Sequence, residues 1–257
     1  MPSASNNNKQ FSRCIASNRI NTLAPFHWLR LAAKDLQATP LLSLFYGLIF
    51  SVIPATILYV TFRAETHLVI LPAIVAFSLI GPVFAVGLYD VAWQLEKGQQ
   101  PTLSHSLKSM FRNSMGEWGF ALVLTLVMIV WLRLASLLHA LYPSIGQPSL
   151  GEMAVFLTLG SALGLVLMTV VFALSAFTPQ ICLERRVDLM TAIVSSVAAV
   201  RNNPAAMLVW AGLILTLVTI GFATFAIGFI FIMPLLSFAS WHAYIAIIKT
   251  KTGRHYE

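Results

Sequence analysis

The sequence predicts an all-α fold: a polytopic membrane helical bundle of six transmembrane helices in three hairpins, with amphipathic helices on its cytoplasmic face. Hydrophobic residues make up 58% of the 257-residue chain and charged residues only 10%, and the mean hydropathy is +0.81. Soluble domains carry about 25% charged residues, so a soluble core does not explain this composition. The stretch Asn202–Ile248 contains 47 residues without Asp, Glu, Lys or Arg. As one helix it would measure about 70 Å against roughly 30 Å of hydrocarbon, so we expect it to cross the membrane twice.

Four earlier apolar stretches predict the other spans, over residues 41–62, 68–95, 118–140 and 152–181. In the last hairpin Pro204 suits the first helical position, and Gly221 to Thr224 is the predicted turn. Three segments repeat apolar residues at helical spacing and predict amphipathic helices at the membrane surface, over residues 25–39, 103–111 and 188–203. Asp188 is the predicted N-cap of the third.

The ends of the chain are polar. The first 20 residues are rich in Asn and Ser and lack the apolar core of a cleaved signal peptide. We therefore divide the chain into a flexible cytoplasmic tail (1–24), a six-span transmembrane domain (25–248) and a basic cytoplasmic tail (249–257). Cys14 and Cys182 lie far apart and lack metal-ligand spacing, so free thiols are expected.

The distribution of Lys and Arg predicts the orientation of the spans. Fourteen of the sixteen basic residues fall in segments that share a side with the N-terminus; the exceptions are Arg63 and Arg133. Because cytoplasmic loops carry an excess of Lys and Arg, both termini are predicted to be cytoplasmic. The predicted location is the bacterial inner membrane.

Arg133 is the most unusual residue of the predicted spans. A charge at a helix centre costs about 2.5–3.5 kcal/mol on insertion scales, which makes an intramembrane Arg a candidate functional residue. It lies 15 residues into the span that begins at Trp118, within reach of the outer interface. The alternative interpretation is therefore a side chain that snorkels to the headgroups.

Asp90 and His242 form the second candidate site. Each lies about a turn and a half inside the cytoplasmic end of its span and has Trp and Tyr neighbours in the sequence. This similar depth predicts that the two side chains face one another as a proton-handling or cation-handling pair. The alternative is that the aromatic residues belong to an interfacial belt, with no site between them.

Small residues four positions apart predict close helix packing. Gly160 and Gly164 share one face of the fourth span, and Gly47 and Gly81 begin similar patterns in the first and second spans. Such faces let backbones approach closely, within one chain or between copies of it.

Motifs for enzyme chemistry are lacking in this sequence. It contains no phosphate-binding glycine loop, no HExxH, no CxxC and no interpretable Ser, His and carboxylate set. We therefore predict that the protein is not an enzyme and uses no cofactor or metal. Membrane topology accounts for the basic residues, so nucleic acid is not a predicted partner.

Three stretches carry a resemblance to a known family: ATPLLSLFYG at the first span, GPVFAVGLYDVAWQLEKGQQPTL, and MPLLSFASWHAYIAI near the C-terminus. They resemble an uncharacterised family of bacterial predicted integral membrane proteins, a domain of unknown function, over residues 25–248. The resemblance implies no catalytic or binding residues. Some members carry the label of cytochrome c oxidase subunit I. This sequence contradicts that label, because haem and copper ligation needs several intramembrane histidines and only His242 and His139 come close.

Two functions are compatible with these observations. The preferred one is a non-enzymatic, transporter-like role for a small solute or lipid, which predicts a polar cavity reached by Asp90, His242 or Arg133. The alternative is a structural or assembly protein that oligomerises through its glycine-rich helix faces. The expected partners are the lipid bilayer and either a second copy or another membrane protein.

Overall fold

The computed structural model describes residues 14–64, 70–111, 114–141, 150–185 and 187–249. This part of the chain forms ten helices and one isolated antiparallel bridge, so the all-α prediction is confirmed. In chain order the helices are α1 (Ala24–Ala38), α2 (Pro40–Ala64), α3 (Ile70–Glu96), α4 (Leu103–Ser109), α5 (Ser114–Leu141), α6 (Leu150–Ser175), α7 (Thr178–Glu184), α8 (Leu189–Asn202), α9 (Pro204–Ala223) and α10 (Phe229–Ile247).

Five apolar segments within the described residues are long enough to cross a membrane: Pro40–Val60, Trp118–Leu138, Ala154–Glu184, Pro204–Ala223 and Phe229–Ile247. The fourth predicted span is interrupted, because α6 ends at Ser175 and the separate helix α7 begins at Thr178. Pro179 has no N–H to continue the hydrogen-bond ladder of α6, which explains the break.

Helix α10 lies at the centre of the bundle and packs against α1, α2, α3 and α9. In its most apolar stretch 61% of the residues are buried, against 6% for the stretch in α5 and none for the one that begins in α6. The apolar surfaces of α5 and α6 are therefore left to lipid or to another protein, and α10 organises the core.

The turn of the last hairpin lies a few residues further along the chain than the sequence predicts. Helix α9 continues to Ala223, and the turn covers residues 224–228 rather than Gly221 to Thr224. Phe225 and Ala226 take positive φ angles of 53° and 68° there. Gly221 instead allows the Phe229 ring to approach, since a Cβ at this position would lie 2.1 Å from a ring carbon. The small residue marks a close helix contact, and the turn follows it.

The described part of the N-terminal tail is attached to the bundle. Ser17 and Ile248 form the antiparallel bridge, and the backbone N–H of Asn18 donates to the Ile247 carbonyl at 2.7 Å. The N–H of Ile20 donates to Oδ1 of Asn203, at the junction of α8 and α9, at 2.9 Å. Residues 17–20 of the segment predicted as a flexible tail (1–24) thus contact the bundle, and residue 24 begins α1; the division into tails and a transmembrane domain stays a prediction. Residues 1–13 and 250–257 lie outside the described part of the chain.

The three segments predicted as amphipathic surface helices form α1, α4 and α8, and their place at a membrane surface stays a prediction. The Thr102 hydroxyl caps α4 by accepting from the N–H of His105, and the Asp188 carboxylate caps α8 by accepting from the N–H of Thr191 at 3.0 Å. Asp188 is therefore the N-cap that the sequence predicts. These helices, residues 14–23 and residues 248–249 together form what we call the terminal face of the bundle.

Candidate functional site

Asp90 is a fully buried carboxylate near the end of α3. Its Oδ2 accepts a hydrogen bond from Nε2 of Gln94, one turn further along, at 2.7 Å. The same oxygen lies 2.7 Å from Nδ1 of His105 on α4. The other oxygen, Oδ1, has no hydrogen-bond partner among the described residues. Buried polar atoms are normally hydrogen-bonded, so this unpartnered oxygen is a candidate for binding a proton or a cation.

Helix α4 is fixed so that His105 reaches Asp90. The neighbouring Ser106 hydroxyl donates to the Gly87 carbonyl at 2.6 Å and lies 2.7 Å from the Tyr46 hydroxyl. A Cβ on Gly87 would lie 2.4 Å from that tyrosine oxygen, so only glycine allows the approach. The His105 side chain is 53% exposed and that of Asp90 is 0% exposed. The pair therefore links a buried carboxylate to the surface through one imidazole.

A second carboxylate and imidazole pair joins α1 to α10. His242 Nε2 lies 2.7 Å from Oδ2 of Asp35, and the two side chains are 14% and 20% exposed. The His242 Nδ1 atom has no hydrogen-bond partner among the described residues. Each of the two pairs attaches a surface helix to a long apolar helix.

The predicted pair of Asp90 and His242 is wrong, because each residue binds a different partner. Asp90 points toward α4 and His242 toward α1. Tryptophan rings occupy the contact between their helices: the ring centroids of Trp93 and Trp241 are 6.1 Å apart. Equal depth in two spans did not specify the directions in which the side chains point.

Arg133 is exposed on α5 and has no hydrogen bond or ion pair to a described residue. It does not take part in either carboxylate pair. This placement agrees with the snorkelling interpretation, in which the guanidinium extends along the helix to the headgroup region.

The four glycines predicted to pack helices differ in their surroundings. A Cβ on Gly47 would lie 2.0 Å from the Ile230 carbonyl oxygen, so α2 and α10 touch through their backbones there. A Cβ on Gly164 would lie 3.3 Å from a tryptophan ring of α5. No described atom lies within 4 Å of a Cβ placed on Gly81 or Gly160. The described residues therefore show no packing contact at Gly81 or Gly160, and for these two glycines close packing, within the chain or between copies, stays a prediction.

No group of three or more His, Cys, Asp and Glu side chains is placed to hold a metal ion among the described residues. A small cleft between α3, α5 and α7 is lined mainly by apolar side chains, among them Val83 and Val86. Asp90 does not line this cleft, so the Asp90 carboxylate and the cleft are separate in this structure.

Two residues of this site, His105 and Gly87, were not predicted from the sequence. His105 lies outside the spans, in the segment PTLSHSL, where the spacing of apolar residues predicted a surface helix but no site. Gly87 was not among the glycines that were predicted to pack helices from small residues four positions apart. A search for buried acids near surface histidines, rather than within spans alone, would have included His105.

A bundle of long apolar helices with a few buried polar groups defines the class of polytopic α-helical membrane proteins. Residues 70–184 match the family model described as "Predicted integral membrane protein (DUF2189)", a domain of unknown function. This match confirms the resemblance over the middle of the chain. The search of curated proteins and that of solved structures found no match.

Proposed function

We propose that this protein is a non-enzymatic carrier of a small solute in the bacterial inner membrane, driven by protonation of Asp90. The observation that carries the proposal is the fully buried Asp90 carboxylate, hydrogen-bonded at 2.7 Å to a half-exposed imidazole. Ionisable residues within membrane segments are expensive and commonly mark ion pathways and proton relays.

The chemistry of the pair supports proton transfer. The half-exposed His105 imidazole lies between the buried carboxylate and the surface, and an imidazole can both donate and accept a proton. Binding a proton would neutralise Asp90 and remove the penalty of a buried charge. The apolar cleft beside α3 does not reach Asp90.

The carrier proposal includes six spans, with α3 as the sixth. Helix α3 has 27 residues and would measure about 40 Å, enough to cross the hydrocarbon. It packs against α2, and α9 packs against α10, as expected for neighbours in hairpins. Five spans would place the two ends of the chain on opposite sides of the membrane, whereas the described ends meet at the terminal face.

Reporter fusions test this topology. We expect fusions after Ala64, Gly146 and Ala226 to report the exterior, because these positions follow outward-running spans. Fusions after Gln99, Val187 and Lys249 should report the cytoplasm. An exterior signal after Lys249 would contradict both the sixth span and the orientation.

Transport currents test the function. The protein is reconstituted in proteoliposomes on a solid-supported membrane, and a pH gradient is imposed. The concentration of a small cationic, zwitterionic or anionic solute is then raised in one step. We expect a transient current with at least one class, and its loss in Asp90→Asn, which keeps the shape but removes the charge. The matched control is His27→Gln, on the exposed face of α1. No current with any class, or an unchanged current in folded Asp90→Asn, would contradict the proposal.

A further inference from the structure

The outward face of α1 combines apolar and basic side chains. Pro25, Trp28 and Ala32 are buried against the bundle, and Trp28 packs edge to face on Trp210 of α9 with centroids 5.7 Å apart. The exposed residues of the opposite side include Leu23 (65% exposed), Phe26 (53% exposed), His27, Arg30 and Lys34. An exposed apolar end beside exposed cations is typical of helices that lie at a membrane interface.

Two further arginines extend this basic surface. The Ser17 hydroxyl accepts a hydrogen bond from Asn202 at 2.8 Å, and Ile20 is bonded to Asn203. These bonds hold the segment that contains Arg19 against the end of α8, where Arg201 is exposed. Arg19, Arg30, Lys34 and Arg201 together are called the basic surface below.

The basic surface has no acidic counterpart in the described part of the chain. No ion pair joins any of its four cations to a described carboxylate within 4.0 Å. The one carboxylate on α1, Asp35, is engaged by His242. Four cations therefore face outward at the terminal face without neutralisation by a described acid.

We propose that the basic surface binds the anionic headgroups of phospholipids in the same bilayer, with Leu23 and Phe26 inserted among the upper acyl chains. The exposed apolar residues favour a lipid over a soluble anion, because a free phosphate would not cover them. Each Lys or Arg near an anionic surface strengthens binding by about fivefold. This inference is independent of the carrier function.

The test measures lipid binding to the full chain purified in a neutral detergent. Short-chain phosphatidylglycerol and phosphatidylcholine are titrated and followed by native mass spectrometry, with inorganic phosphate as a third ligand. We expect phosphatidylglycerol to bind more tightly than phosphatidylcholine, and Arg30→Gln with Lys34→Gln to weaken it about 25-fold. Removing two exposed charges elsewhere, with Arg63→Gln and Arg133→Gln, should leave the affinity unchanged.

Three results would overturn the proposal: equal affinity for the two lipids, equal loss in the control variant, or phosphate binding as tight as that of phosphatidylglycerol. A variant that keeps both charges, Arg30→Lys with Lys34→Arg, guards against misfolding. It should bind as the natural chain does, because the headgroup interaction depends mainly on charge. Loss of phosphatidylglycerol binding in this folded variant would also contradict the proposal.

Discussion

Gly47→Ala is expected to destabilise the protein severely. The new Cβ would meet the Ile230 carbonyl oxygen at 2.0 Å, and backbone atoms of α10 cannot rotate away as a side chain can. Overpacking of this kind costs about 1–3 kcal/mol, and a backbone clash lies at the upper end. The measurement is the melting temperature in detergent, together with the yield of monodisperse protein.

Gly160→Ala is the matched control for this prediction. It makes the same chemical change in a span with the same small-residue pattern, but no described atom lies within 4 Å of the new Cβ. We expect its stability to stay within about 0.5 kcal/mol of the natural chain. Equal losses in the two variants would show that α2 and α10 do not approach through Gly47, or that Gly160 packs against another copy.

Double-mutant cycles should find two separate carboxylate and imidazole pairs. Asp90→Asn with His105→Gln, and Asp35→Asn with His242→Gln, should each show a coupling energy of about 1 kcal/mol or more, because each pair is in direct contact. Hydrogen bonds to charged groups contribute about 1.5–3 kcal/mol, so the single losses should be measurable. Reversible unfolding in mixed micelles provides the free energies.

A double mutant that takes one residue from each pair is the control for these cycles. Asp90→Asn with His242→Gln should be additive within about 0.5 kcal/mol, because the two residues bind different partners. A larger coupling between Asp90 and His242 than between Asp90 and His105 would restore the pairing predicted from depth and contradict the structure.

Composition and hydropathy were sufficient to predict an all-helical membrane protein with several spans. Long uncharged stretches predict spans because lipid offers no hydrogen bonds to an unpaired backbone, and helices are the simplest solution. The Asn202–Ile248 stretch accordingly forms α9 and α10, and the more buried of these is the centre of the bundle. Helix starts at Pro204 and at the Asp188 cap follow from local chemistry that does not depend on the rest of the fold.

The contacts of the site depend on rotations of helices about their axes, which the sequence alone does not specify. Asp90 and His242 have similar depth, but their side chains point toward different surface helices. Gly47 and Gly160 begin similar patterns, yet only Gly47 meets another backbone among the described residues. His105 was missed for the same reason, since its role depends on how α4 folds back onto α3.

Infrared hydrogen–deuterium exchange of the reconstituted protein tests the central claim most directly, namely that Asp90 exchanges its proton with water through His105. We expect a carboxyl band that shifts on transfer to heavy water in the natural chain and is absent in Asp90→Asn. The exchange should become slower in His105→Gln and keep its rate in His27→Gln. A band that survives Asp90→Asn unchanged, or an exchange rate that ignores the loss of His105, would contradict the account.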